Sequence, residues 1–353
     1  MKKVIGVLVA GLCSSGAFAE GVTITGAIDV NVRNVSDGNV RSTLMSPDGA
    51  NSSKLVFKGV EDLGGGMKAG FYLDTALSVD SGKAGSSSSL WNRRSTVSLM
   101  SGFGEIRLGR DAALQNSAPG DFDAMNGKGV GNTMNLATPF NFSNTNTYTR
   151  VNNAISYLTP ETLGGIYGQI QYAPSEDAIG NRYLAGALGY QKGPLEVRGT
   201  YGQTRVNKVG GVTVAEGNFV YASLGASYNF GPVQLMGSLT DWKSAPAPAG
   251  QRKQLNYNIG AMIPVGAGSL NIAFTNANRS GGGTDAQDAK QWALGYVHNL
   301  SKRTALYANV AHLSQDASAA ADKASDGARY NVDGTQMTGT SGTSFELGIR
   351  HRF

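Results

Sequence analysis

The chain has 353 residues, with 49 glycines, one cysteine, 16% charged residues and a formal net charge of +5. Glycine runs at about twice its usual share and charge well below its own, which excludes helical bundles, coiled coils and, without a three-residue glycine period, collagen. The 12 Phe, 14 Tyr and 3 Trp argue against a disordered chain.

Residues 1–19 read as a cleaved signal peptide. Lys2 and Lys3 precede an apolar run from Val4 to Leu12, and Ala17-Phe18-Ala19 stands before Glu20. Nine apolar residues are too few to span a bilayer. Cleavage between Ala19 and Glu20 removes Cys13, the only cysteine, so the exported chain of residues 20–353 forms no internal disulfide. It also removes Lys2 and Lys3, which lowers the net charge to +3, too mild to suggest a nucleic-acid partner. No later apolar stretch approaches 18 residues, so the protein is either soluble after export or a membrane barrel.

Periodicity decides between the two. Val22, Ile24, Ile28, Val30 and Val32 alternate with Thr23, Thr25, Asp29, Asn31 and Arg33, giving one apolar and one wet face. Similar segments follow near 53–61, 67–77, 91–100, 104–110, 149–158, 165–173, 182–191 and 195–205. They continue near 218–229, 233–242, 254–263, 269–277, 290–299 and 304–314, and the chain ends on Phe345, Leu347, Ile349, His351 and Phe353 on one face. Short turns such as Gly64-Gly65-Gly66 and Lys192-Gly193-Pro194 alternate with long polar connections, 36–52, 78–90, 111–148, 174–181, 206–217, 243–253, 278–289 and 315–342. The pattern predicts an all-β fold, a 16-stranded antiparallel transmembrane β-barrel with short periplasmic turns and long extracellular loops. Tyr157, Tyr172, Tyr190, Phe230, Trp242, Trp292 and Phe353 fall near strand ends, where interfacial girdles lie.

Such a barrel is too wide to be filled by its own side chains and encloses water. The longest loop, 111–148, carries Asp121 and Asp123 and is expected to fold inward, bringing carboxylates into the lumen. Arg107 and Lys58 are read as lumen residues, as are Tyr72 and Asp74. His298, His312 and His351 stand apart with no metal-ligand spacing. Ser314 near His312 lacks an acid to orient that ring, so neither a reaction nor a cofactor is expected.

Three blocks carry a family likeness: Lys54-Leu55-Val56-Phe57-Lys58-Gly59-Val60-Glu61-Asp62-Leu63-Gly64-Gly65-Gly66, Gly104-Glu105-Ile106-Arg107-Leu108-Gly109-Arg110-Asp111, and Arg150-Val151-Asn152-Asn153-Ala154-Ile155-Ser156-Tyr157. With the terminal Phe353, they make the chain resemble the general outer-membrane porins of the trimeric, sixteen-stranded, β-proteobacterial type. The resemblance implies a third loop folded into the lumen, its acids Asp121 and Asp123 facing a basic wall. By position that wall takes Lys54, Arg93 and Arg150, with Arg33 on the wet face of the first strand beside them. Lys at position 54, where the family usually has Arg, keeps the charge and loses the planar fork. Arg93 and Arg94 are adjacent and face opposite sides in a regular strand; parity leaves the choice open, and the resemblance favours Arg93. It further implies a homotrimer, surrounding outer-membrane lipid and lipopolysaccharide, and small hydrophilic solutes as cargo with a preference for anions. Phe353 closes a strip that resembles the signal read by the outer-membrane assembly machinery.

Overall fold

The computed structural model describes residues 20–86, 89–137, 149–174, 182–209, 212–244, 252–281, 287–316, 331–332 and 335–353. The expected signal segment lies outside these residues, as does the far part of the third loop.

Among the described residues, sixteen strands build the barrel wall: β1 Glu20–Ser36, β2 Lys54–Gly64, β3 Met67–Ser78, β4 Arg94–Ser101, β5 Gly104–Ala112, β6 Arg150–Leu158, β7 Ile166–Ala173 and β8 Arg182–Lys192. They continue as β9 Leu195–Val209, β10 Val212–Asn229, β11 Gln234–Lys243, β12 Lys253–Val265, β13 Gly268–Ser280, β14 Ala289–Asn299, β15 Thr304–Gln315 and β16 Ser341–Arg352. Each pairs antiparallel with its sequence neighbour, and β16 closes on β1 with Ala27 opposite Arg352 and Asn34 opposite Phe345. Closure leaves no unpaired edge. Turns are short at one end of the barrel: Gly64, Gly65 and Gly66 all take positive φ there, which only glycine adopts without strain.

The alternation is inside-out relative to a water-soluble protein. Val32 is 52% exposed while Arg33 beside it is 1% exposed, because aliphatic side chains coat the outside and polar ones line the lumen. Among the described residues, 78–90 and 315–342 contain short two-residue strands, and two other connections expected as loops contain longer strand. Arg41–Pro47 pairs with Val30–Ser36 of β1 above the point where β2 begins, and β9 and β10 extend as one long hairpin through most of 206–217. Trp242 also departs from the girdle reading. It is buried on the inner face, its ring centroid 4.2 Å from Tyr221 and 5.0 Å from Phe219.

The apolar core lies inside the barrel, between the third loop and the wall. Ala124, Met125, Val130 and Leu136 of the loop pack on Ala273, Ala277, Ala289, Ala293 and Ala311 of β13–β15. At the loop's origin, Ala113 and Leu114 pack on Val151, Ala154, Tyr183 and Ala185. Small wall residues leave the space, and each larger loop side chain buried there contributes about 1.5–3 kcal/mol.

Candidate pore constriction

The third loop crosses the lumen as a short 3-10 turn, Leu114–Asn116, then α1 Ser117–Asp121 and α2 Met134–Ala137. Its backbone is tied to the wall along its length. The Leu114 N–H donates to the Tyr183 hydroxyl at 3.1 Å, and Gln171 donates to the Ala112 carbonyl at 3.1 Å. Further on, Asn258 donates to the Phe122 carbonyl at 2.7 Å, Gln254 to that of Leu136 at 2.7 Å, and Gln291 to that of Gly131 at 2.9 Å. A Cβ built on Gly225 would overlap the Phe122 ring, so the wall needs glycine at that place.

Asp123 is inside the loop, 2% exposed, and does not face the pore. Its carboxylate accepts the backbone N–H groups of Met125 at 3.0 Å, Gly127 at 3.2 Å and Thr133 at 2.9 Å. Burial pushes its carboxyl above the usual carboxylate range, against the pull of those donors. Asp121 is exposed and pairs with Arg198 of β9 at 2.5 Å, on the wall the loop covers. The expected acidic loop face is therefore replaced by an acid that organises the loop and an acid already partnered.

What the loop presents is a cation. Lys128 sits between Gly127 and Gly129, both with positive φ, on a tight bend. It lies 3.8 Å from Asp48 and within electrostatic reach of Arg93 and Arg150. Burial holds its ammonium below the ordinary lysine range. Sequence reading missed it; the Gly-Lys-Gly triplet in the middle of the longest loop was the available signal.

The opposite wall gathers cations at the long-loop ends of adjacent strands. Lys54 opens β2 and Arg150 opens β6, while Arg93 immediately precedes β4. Lys54 is within electrostatic reach of Asp74, Arg93 and Arg150. Arg93 pairs with Asp74 at 3.1 Å. Among the described residues, neither Lys54 nor Arg150 forms an ion pair. The choice between Arg93 and Arg94 dissolves, because Arg93 precedes the strand and escapes its alternation. Arg94 shares the inner face with Thr96 at 2.9 Å, lies 3.7 Å from Asp111 and stacks 4.2 Å over the Tyr72 ring. Arg107 is closed off by Glu105 and Asp111, each at 2.8 Å.

Arg33 is not part of this wall. It is buried and paired at 3.1 Å with Glu346, across the β1–β16 seam that closes the barrel. Glu346 also accepts from Asn309 at 2.7 Å and from the Val130 N–H of the third loop at 3.3 Å. Next to it, Asp29 accepts the N–H groups of Gly49, Ala50 and Asn51 at 3.1, 3.0 and 2.7 Å. The closing seam thus holds the end of the first loop and the bend of the third in place. Phe353 extends the same seam, exchanging backbone hydrogen bonds with Gly26 at 3.0 and 3.1 Å.

A closed sixteen-stranded barrel with an apolar exterior, a polar lumen and an inward loop defines a water-filled membrane channel. The family model described as Gram-negative porin matches residues 6–318, so the chain belongs to that family and resides in the outer membrane as a porin. It is 38% identical over 371 aligned positions to outer membrane porin protein 32 of Delftia acidovorans, with 100% of both chains covered. The anion-selective porin from Comamonas acidovorans superposes with a TM-score of 0.78 at 34% identity, over 94% of this chain and 99% of that one. The trimer form of OmpT from Vibrio cholerae shares the fold at 15% identity, with a TM-score of 0.70 over 94% of this chain and 99% of the other.

Proposed function

We propose that this porin passes small hydrophilic solutes down their gradients with a preference for anions. The observation that carries the reading is the convergence of Lys54, Arg93 and Arg150 on one wall with Lys128 reaching back from the loop, while Asp121 and Asp123 are turned away. A fixed unit charge is worth on the order of 1 kcal/mol to an ion about 4 Å away in water, more where the dielectric is lower. Several cations around one passage therefore concentrate anions and repel cations. The similarity to the anion-selective porin from Comamonas acidovorans supports the same sign. The working assembly is a homotrimer, in line with the trimer form of the related fold. Residues 1–19 are removed between Ala19 and Glu20, and Phe353 ends the signal for the assembly machinery. Lipid and lipopolysaccharide surround the barrel, and no chemical step is assigned to it.

The test is the zero-current potential of the refolded mature protein in a planar bilayer across a tenfold KCl gradient. The anion-selective sign is expected, weakening as salt rises and the Debye length shrinks. The double variant Lys54→Glu/Arg150→Glu is expected to move the potential toward the cation side by roughly tenfold in permeability ratio, about 1.4 kcal/mol. A wild-type potential of the cation-selective sign overturns the assignment while leaving the pore intact.

A further inference from the structure

The outer surface of β8–β12 has a feature that the channel does not use. At the long-loop end the outward face carries Arg182 on β8, Arg205 on β9, Lys243 on β11 and Lys253 on β12. The register sets cation against cation, with Arg182 opposite Arg205 and Lys243 opposite Lys253. Gln203, Val220, Lys243, Lys253 and Ser280 form one row across five strands, and Arg205 lies one pleat above it. From Gln203 to Lys253 the row spans roughly 14 Å, three strand spacings. Like charges directly opposed across a ladder are destabilising, and Asp241 lies 2.9 Å from Lys243. The cationic face ends at β14, just before which Asp288 donates its backbone N–H to the Asp316 carboxylate at 3.1 Å.

Directly below, the same strands turn apolar. Below the row of Ala222, Asp241 and Leu255, Leu224, Leu239 and Tyr257 form an apolar row about 13 Å down the strand from Lys243. They open a groove of about 480 Å³ that continues past Leu235 and Ile259. The groove exists because Gly237 and Ala226, paired across β10 and β11, put almost no side chain between these larger neighbours.

We propose that this face binds a phosphorylated glycolipid of the outer leaflet, the lipopolysaccharide class. Its phosphates sit on Arg182, Arg205, Lys243 and Lys253, and an acyl chain lies in the groove over Gly237 and Ala226. Cations above an apolar groove match an amphiphile with an anionic head, whereas a free anion has no use for the groove. The proposal rests on the reading that lipopolysaccharide surrounds the barrel, and adds where and by what contacts one molecule is held.

The experiment is native mass spectrometry of the full mature porin in detergent, titrated with lipopolysaccharide, with the same glycolipid after phosphate removal, and with inorganic phosphate. Wild type is expected to retain lipopolysaccharide at least tenfold more tightly than the dephosphorylated form, with inorganic phosphate unable to displace it. Arg182→Gln/Lys243→Gln/Lys253→Gln is expected to lose about tenfold or more in retention, and Lys243→Arg/Lys253→Arg to keep it. Ala226→Trp, which fills the groove and leaves every charge, is expected to weaken retention severalfold. All three variants should conduct as wild type in bilayers, which shows that the barrel is folded. Equal retention by the triple Gln variant, or equal binding of the dephosphorylated glycolipid, overturns the site while lipopolysaccharide remains a partner. Displacement by inorganic phosphate makes it a soluble-anion site and also overturns the proposal. A conducting wild type that retains no lipopolysaccharide overturns both the site and the partner reading.

Discussion

The inner walls of the barrel over β2–β6 and over β8–β15 are built from different residues and treat water differently. The first keeps Lys54, Arg93, Arg94 and Arg150 at its strand ends, with Asp74 and Asp111 as partial counter-charges. The second is lined by Ala273, Ala277, Ala293, Gly225, Gly260, Asn258, Gln254 and Gln291, and the third loop lies on it. Amides and small residues accept a loop because they hydrogen-bond its backbone and leave room for its side chains. Guanidinium and ammonium groups do not, since burying them uncompensated is costly. The cluster of cations on one side, against a wall on the other whose Arg198 and Arg279 are taken up by Asp121 of the loop and by Gln254, therefore decides which way the loop folds, and the open passage is left beside the cluster.

Four perturbations break or sharpen that contrast. The largest effect is expected at the closing seam, which anchors the loop's bend. Arg33→Met leaves Glu346 buried without its cation and should cost about 3–5 kcal/mol, read as a lower denaturant midpoint in micelles. Adding Glu346→Gln should return part of that loss. A midpoint unchanged by Arg33→Met would show that the seam pair does not hold the barrel.

Next comes the loop's own organiser. Asp123→Ala strips the acceptor from three buried N–H groups and is expected to destabilise the loop by on the order of 3 kcal/mol. Single-channel conductance should rise as the loop leaves the wall, and become noisier. If Asp123 instead acted as a pore-facing charge, the same variant would shift selectivity at unchanged conductance.

A smaller effect, about 1–3 kcal/mol, is expected from Gly225→Leu, which drives a side chain into the Phe122 ring and pushes the loop toward the basic wall. Conductance should fall in that variant, the opposite of the Asp123→Ala result, which separates displacement from release. The mildest test is pH. Burial holds the Lys128 ammonium below the ordinary lysine range, about 10.4. Anion preference should therefore begin to fall at a pH below that range as the charge is lost, and Lys128→Gln should lack this early step. A Lys128→Gln channel with the same alkaline profile as wild type would assign the step elsewhere.

Much of this was legible in the residues themselves. The two-residue alternation in Val22–Arg33 and in Phe345–Phe353 marks lipid and water faces, since each strand sees a different solvent on each side. Turn glycines and polar connections sorted by length located the strand ends, and Lys54, Arg93 and Arg150 all fall at such ends. Alternation failed where the backbone is not regular strand. Arg93 lies before β4, so parity with Arg94 had no meaning. Trp242 followed a rule about strand ends but belongs to the inner stack with Tyr221.

The sequence by itself determined the number of wall crossings and which side chains each crossing turns to water, because both follow from local chemistry repeated every two residues. Only the tertiary structure decided which charges stand in the passage. Asp123 and Arg33 lie on polar stretches like any lumen residue, yet one is enclosed by its own loop and the other by Glu346, from a strand 313 positions later in the chain. Lys128 reaches the passage because Gly127 and Gly129 bend the loop there and the distant seam holds that bend. Whether a charge is spent on a neighbour or left to meet an ion depends on contacts between segments far apart in the chain, and local periodicity carries no record of those contacts.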